Sequence, residues 1–332
     1  MENLKRYNRL TEYLKGKFGE RTLKICIDGG FTCPNRDGTA GFGGCIFCSE
    51  TGSGDHLNHT MKIKEQVQNY LASYRGKRAN KFIVYLQNYT NTYAPIDVLK
   101  ERYDSALIDD RIVAIAIATR PDCITEEIAE LLKSYAEKYY VWVELGLQTS
   151  NDQTGELLNR GYTSTQFTES VKLLNKYGID VVTHIMVGLP GETHEDIANS
   201  VNFINKHSIQ GIKIHSTYIV KNTKLEKMYK DGKYTPLELE KYLDETIFIL
   251  THIRKDIVVH RISGDAPKDL LVAPKWNSHK KLVLNGIDKI LKKKIYIRES
   301  FLNKKKYIAY NIYCKINIGW SKNIIGLNRS DF

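Results

Sequence analysis

Three cysteines in one loop are the residues best suited to chemistry. In GGFTCPNRDGTAGFGGCIFCSE, Cys33 is followed after eleven residues by Cys45, and after two more by Cys48. A Cys-x-x-Cys pair places two sulfurs at one metal site, and the glycines at 38, 41, 43 and 44 let the backbone curl around it and turn its amides toward sulfur. Three thiolates on a four-iron cluster leave one iron open, which is the position a catalytic site keeps for substrate. The competing reading is a closed Cys3His zinc site, with His56 or His59 as fourth ligand. A thioredoxin-like redox pair fits less well, because Cys45-Ile-Phe-Cys48 does not start a helix in a small βαβ domain. Cys26 and Cys123 read as packing residues, and Cys314 has no visible partner.

The elements that must position this loop form a regular series. β-branched runs near 23–28, 82–87, 112–118, 140–147, 179–187 and 212–219 read as strands. Amphipathic stretches near 61–76, 97–108, 125–138, 166–177, 194–206 and 236–253 read as the helices between and after them. Alternating βα units predict an α/β fold with a parallel sheet, either a partial (βα)6 barrel or a doubly wound open sheet. Both architectures collect chemistry at the C-terminal ends of the strands, and the loop from about 29 to 59 follows the first strand. That loop is far longer than an ordinary βα connection, so it calls for a function or a bound ion.

Composition bounds the rest. A chain of 332 residues with 42% hydrophobic content can bury a large core. It carries no apolar run long enough to span a membrane, and residues 1–20 lack the apolar stretch of a signal peptide. A cytoplasmic location with reduced cysteines is therefore expected. The formal charge of +11 is mostly terminal: residues 289–332 hold eleven Lys and Arg against Glu299 and Asp331, while the preceding body is nearly neutral. A basic tail of this kind lends modest support to a nucleic-acid partner.

The cysteine loop, together with ATRPD at 118–122, ELGLQT at 144–149, LNRGYT at 158–163 and HIMVGLPGET at 184–193, resembles the radical S-adenosylmethionine (SAM) superfamily. Within it the chain is similar to proteins of the YhcC/YtqA type and to the radical SAM core of Elongator's catalytic subunit. The resemblance implies a partial TIM-type (βα)6 barrel with N-terminal and C-terminal extensions. It also implies a [4Fe-4S] cluster on Cys33, Cys45 and Cys48 that binds SAM and cleaves it reductively to methionine and a 5'-deoxyadenosyl radical. On this basis residues 1–22 form an N-terminal extension, 23–262 the barrel, 263–292 a helical segment and 293–332 an unassigned basic tail.

For the SAM contacts, the resemblance points to Phe47 between the last two cysteines, and to Glu144, Gln148 and Arg160. Gln87, Asn88 and Thr90 stand where related enzymes present a Gly-Gly-Glu type segment, from which this sequence departs. An Arg suits a carboxylate because its forked donors pair with two oxygens, although a surface salt bridge would need the same residue. Glu192 is expected to help start the helix that follows it. His184 and His215 lie on the fifth and sixth strands as second choices for inward-facing polar groups. The resemblance further implies tRNA as substrate, with remodelling of a wobble-uridine side chain, and an electron donor such as flavodoxin or ferredoxin. A small metabolite or a protein as radical substrate, and a non-catalytic zinc-stabilised RNA-binding module, are the alternatives.

Overall fold

A computed structural model describes residues 7–293 apart from 53, 55, 56 and 265. The tail 294–332, with Cys314, and the candidate zinc ligand His56 lie outside the described residues. Strands β1 (Asn8–Arg9), β2 (Thr22–Asp28), β3 (Lys81–Gln87), β4 (Ile112–Thr119), β5 (Tyr140–Gln148), β6 (Asp180–Val187), β7 (Gly211–Ser216) and β9 (Val258–Arg261) make one sheet. Its order is β1-β9-β7-β6-β5-β4-β3-β2, and every pairing in it is parallel. Successive strands from β2 to β7 are neighbours, with no reversal of direction along the sheet. That order belongs to a curled, singly wound half-barrel; a doubly wound sheet would need a switch point.

The six expected strands are present, and two more extend the sheet. The expected strand at 212–219 is broken: β7 ends at Ser216, where the Thr217 amide donates to the Val187 carbonyl, and β8 (Ile219–Val220) pairs antiparallel with β10 (Leu271–Ala273) in a separate ribbon. The helices are α1 (Leu10–Phe18), α2 (Ile63–Ala72), α3 (Ile96–Ala106), α4 (Glu126–Ala136), α5 (Asp152–Leu157), α6 (Ser164–Lys176), α7 (His194–Asn205), α8 (Lys224–Lys230), α9 (Leu239–His252) and α10 (Lys280–Lys293).

Helix starts follow capping chemistry. The side chains of Thr125, Asn151, Thr163 and Thr223 accept from backbone amides of α4, α5, α6 and α8. α7 is started by Thr193, whose amide donates to Asp196 at 2.8 Å, so Glu192 does not serve as its cap.

The period-2 geometry of strands sorts the core into two layers. Val84, Leu86, Ile115, Ile117, Val143, Leu145, Val181 and Ile185 face outward and pack against Leu99, Leu132, Phe167, Val171, Ile197 and Val201 of the helices. The opposite parity faces the barrel interior, where Ile83, Tyr85, Ala114, Ala116, Trp142 and Val182 pack with Leu14 of α1. α1 therefore closes part of the interior from below, leaving the C-terminal ends of the strands for the cysteine loop.

Candidate active site

Cys33, Cys45 and Cys48 line one cavity at the C-terminal ends of the strands, with Phe47 beside them and Thr90, Gln148 and Glu144 on the facing wall. Gln87, Asn88 and Arg160 do not line it. Tyr85, Arg120, Tyr162, His184, Met186, His215 and Tyr218 complete much of the remaining surface.

The LNRGYT segment braces the cysteine loop. Asn159, with φ of 53°, donates through Nδ2 to the carbonyls of Phe42 at 3.1 Å and Gly44 at 2.8 Å. The amide of Ile46 donates to Leu158, and that of Leu225 to Ile46. Asn35 Nδ2 bonds the Asn159 carbonyl at 2.5 Å and approaches Cys45 Sγ at 3.7 Å. The Cys48 thiol and the Asn35 amide lower the Cys45 thiol to about 7 against the opposing effect of burial.

Arg160 occupies a different place from the one its chemistry announces. It is fully buried, donating through Nε to the Tyr162 carbonyl, through Nη1 to the carbonyls of Leu147 and Thr149, and through Nη2 to Asp152 at 2.7 Å. Its forked donors thus tie the end of β5 to α5. Arg120 reaches the cavity instead, gripped by Asp122 at 2.9 and 2.7 Å and donating to the Arg160 carbonyl at 2.9 Å. ATRPD drew attention to Arg120 only as part of a motif, because sequence spacing does not show which of two arginines faces a cavity.

Segment 87–91 carries polar atoms with no protein partner. Both side-chain polar atoms of Asn88, Thr90 Oγ1 and Asn91 Oδ1 are buried and unpaired among the described residues. Asn88 and Tyr89 both have positive φ, 76° and 46°, as does Gln148 at 65°. Asn tolerates that conformation, whereas Tyr and Gln hold it at a cost of about 1 kcal/mol or more each. Tyr89, Thr90 and Gln148 line the cavity, and strained backbone with an orphaned hydroxyl there fits a polar ligand such as SAM, while Asn88 and Asn91 lie behind that lining.

Glu144 is entirely buried. Its Oε1 accepts from Trp142 Nε1 at 3.1 Å and lies 3.7 Å from Lys24 Nζ, while Oε2 accepts from His184 Nε2 at 2.9 Å and from Lys213 Nζ. Burial opposes ionisation, yet Lys213 and Lys24 hold this carboxyl well below the usual range. Glu144 is therefore an anchor for the interior wall.

His59, the other candidate zinc ligand, lies 2.5 Å through Nδ1 from Asp28 Oδ2. Among the described residues no three His, Cys, Asp or Glu side chains converge on a single-ion site. Burial pushes Cys123 up to about 12 and raises Cys26, as suits packed thiols. No helix among the described residues is long and apolar enough to cross a membrane.

An open half-barrel with three cysteines at its mouth defines a class, and comparison with known proteins agrees. Residues 33–204 match the radical SAM superfamily model and residues 209–293 its C-terminal domain, so the chain belongs to the radical SAM superfamily. It is an enzyme of that family, whose cofactors are a [4Fe-4S] cluster and SAM, and the closed zinc site weighed from the loop alone is set aside. The chain is 40% identical to the uncharacterized protein YtqA of Bacillus subtilis over 289 residues, covering 86% of this chain and 90% of that one. It is 30% identical over 172 residues to a tRNA uridine(34) acetyltransferase of Methanocaldococcus jannaschii, covering 49% of this chain but 30% of that protein. The fold is similar to that of archaeal Methanocaldococcus infernus Elp3, with a TM-score of 0.62, 20% identity, and coverage of 83% of this chain and 63% of the other.

Proposed function

We propose that this enzyme remodels the side chain of the wobble uridine in tRNA, converting a carboxymethylaminomethyl to an aminomethyl group: hydrogen leaves the carboxymethyl carbon, one electron passes from that carbon to a one-electron carrier, and water adds to the resulting C=N bond, breaking it so that the two-carbon unit departs as glyoxylate. The observation that carries the reading is the cavity itself. It runs from three thiols to an inner wall of Glu144, His184 and His215, so a polar substrate arm entering from the strand ends meets hydrogen-bonding groups at depth. Similarity of the barrel segments to a tRNA uridine(34) acetyltransferase and the lysine-rich C-terminal sequence support tRNA as partner.

In this reading Cys33, Cys45 and Cys48 hold the cluster. Phe47, Thr90 and Gln148 flank SAM, with Glu144 on the inner wall, while Gln87, Asn88 and Arg160 shape the wall from behind. When bound, the cluster and SAM together supply a radical that abstracts hydrogen from carbon. The protein's part is to hold the cofactors and to aim the substrate arm. A small reduced electron carrier of the flavodoxin or ferredoxin type would serve it, in the cytoplasm.

Nucleoside analysis of tRNA from cells lacking the protein tests this. Carboxymethylaminomethyl uridine is expected to accumulate and to fall when wild type, but not Cys48→Ala, is restored. An unchanged nucleoside profile overturns the reading. The nearly neutral body favours a second reading, a small-metabolite substrate, which predicts tight binding insensitive to salt and no tRNA affinity.

A further inference from the structure

The chemistry of the inner wall specifies which kind of substrate group it can hold. Ionised Glu144 is an acceptor only, so His184 must donate to it through Nε2. A neutral imidazole that donates from one nitrogen carries a bare lone pair on the other. The His184 side chain lines the cavity at 19% exposure, and no described residue donates to its Nδ1.

Every neighbour discourages a second proton on that ring except Glu144. Burial pushes His184 down to about 4, and Lys213 and Arg261 push in the same direction. His215, whose ring centroid lies 5.1 Å away, is held neutral by burial, as is His260. Lys24, Cys26 and Tyr85 surround the same interior. His215 Nε2 is buried without a partner among the described residues, so this end of the cavity has hydrogen-bonding capacity that the protein leaves unused.

We infer that His184 is a substrate-positioning residue, whose Nδ1 accepts a hydrogen bond from an N–H or O–H group within the substrate arm. The atom held at Nδ1 is then a donor, such as the arm's secondary amine, and a carboxylate on the same arm must lie away from Nδ1. The identity of the substrate rests on the wobble-uridine reading, in which the arm's amine is such a donor; the acceptor character of His184 does not.

Two measurements on the reconstituted holoenzyme test it. With 15N-labelled histidine, long-range 1H–15N spectra between about pH 6 and 8 are expected to show, for the ring lost in His184→Gln, a protonated Nε2 and a bare Nδ1. A protonated Nδ1 overturns the inference. With SAM and tRNA from cells lacking the protein, 5'-deoxyadenosine formed per modified nucleoside is expected to rise on the order of fivefold in His184→Leu preparations of full iron content. Partial recovery is expected in His184→Gln, whose amide also offers an acceptor. A wild-type ratio in His184→Leu overturns the positioning role. If the wild type leaves that tRNA unchanged, the wobble-uridine reading fails, and the spectrum alone decides the inference.

Discussion

Beside Thr149 and Thr154, Glu192 shows how burial tunes a single residue. Its Oε1 has no partner among the described residues, and burial pushes the carboxyl up to about 7 despite opposing hydrogen bonds from Thr149 and Thr154. The folded state thus holds this proton more tightly than the unfolded chain does. Stability is lost as pH rises from about 4.3, the ordinary glutamate value, through the folded value, and the full cost is present above it. Glu192→Gln is expected to exceed the wild type in stability by about 1–2 kcal/mol near pH 8, after discounting for partial exposure, with the difference vanishing below about pH 4. Urea denaturation at the two pH values checks this. The cysteine triad was legible as residues because ligand spacing is a local property. The roles of Arg160 and Arg120 were not, since each depends on carbonyls and carboxylates brought in from other elements.

Among the elements, the least visible in the sequence are those at the far edge of the sheet. β1 pairs with β9, with Asn8 opposite Val258, and so joins two segments some 250 residues apart. α1 follows directly, and its Leu14, 4% exposed, packs on the interior layer beside Trp142 and Ala116. Leu14→Ala is expected to destabilise the protein by about 2–5 kcal/mol through lost burial and a cavity. Thermal denaturation measures it, and an unchanged melting temperature would show that α1 does not close the interior. The inward faces of β5, β6 and β7 are legible in the sequence. Glu144, Gln148, His184, Lys213 and His215 all fall on the parity of their strands that faces inward, so alternation alone marked one face as polar.

For the whole molecule, the long loop after β2 is joined to the barrel through Asn35, Asn159, Leu158 and Leu225, through Tyr89, Thr90, Tyr93 and Arg102, and by whatever the three thiols hold. A ligand bound only by the native state stabilises what it bridges. Removal of the cluster by oxidation and chelation is expected to admit protease cleavage within residues 33–52 while a barrel fragment survives, as mass spectrometry of the digest would show. Equal protection with and without iron would mean that the loop is held by protein contacts alone. The sequence by itself determined the βα alternation, the cysteine triad and the superfamily, because hydrophobic period, ligand spacing and motif order are written along one dimension. Only the tertiary structure decided that the sheet winds in one direction, that Arg160 serves backbone carbonyls while Arg120 faces the cavity, and that Glu144 gathers Lys24, His184 and Lys213 around one buried charge. Those outcomes depend on which strands become neighbours, and pairing in a parallel sheet is settled by packing across the whole barrel.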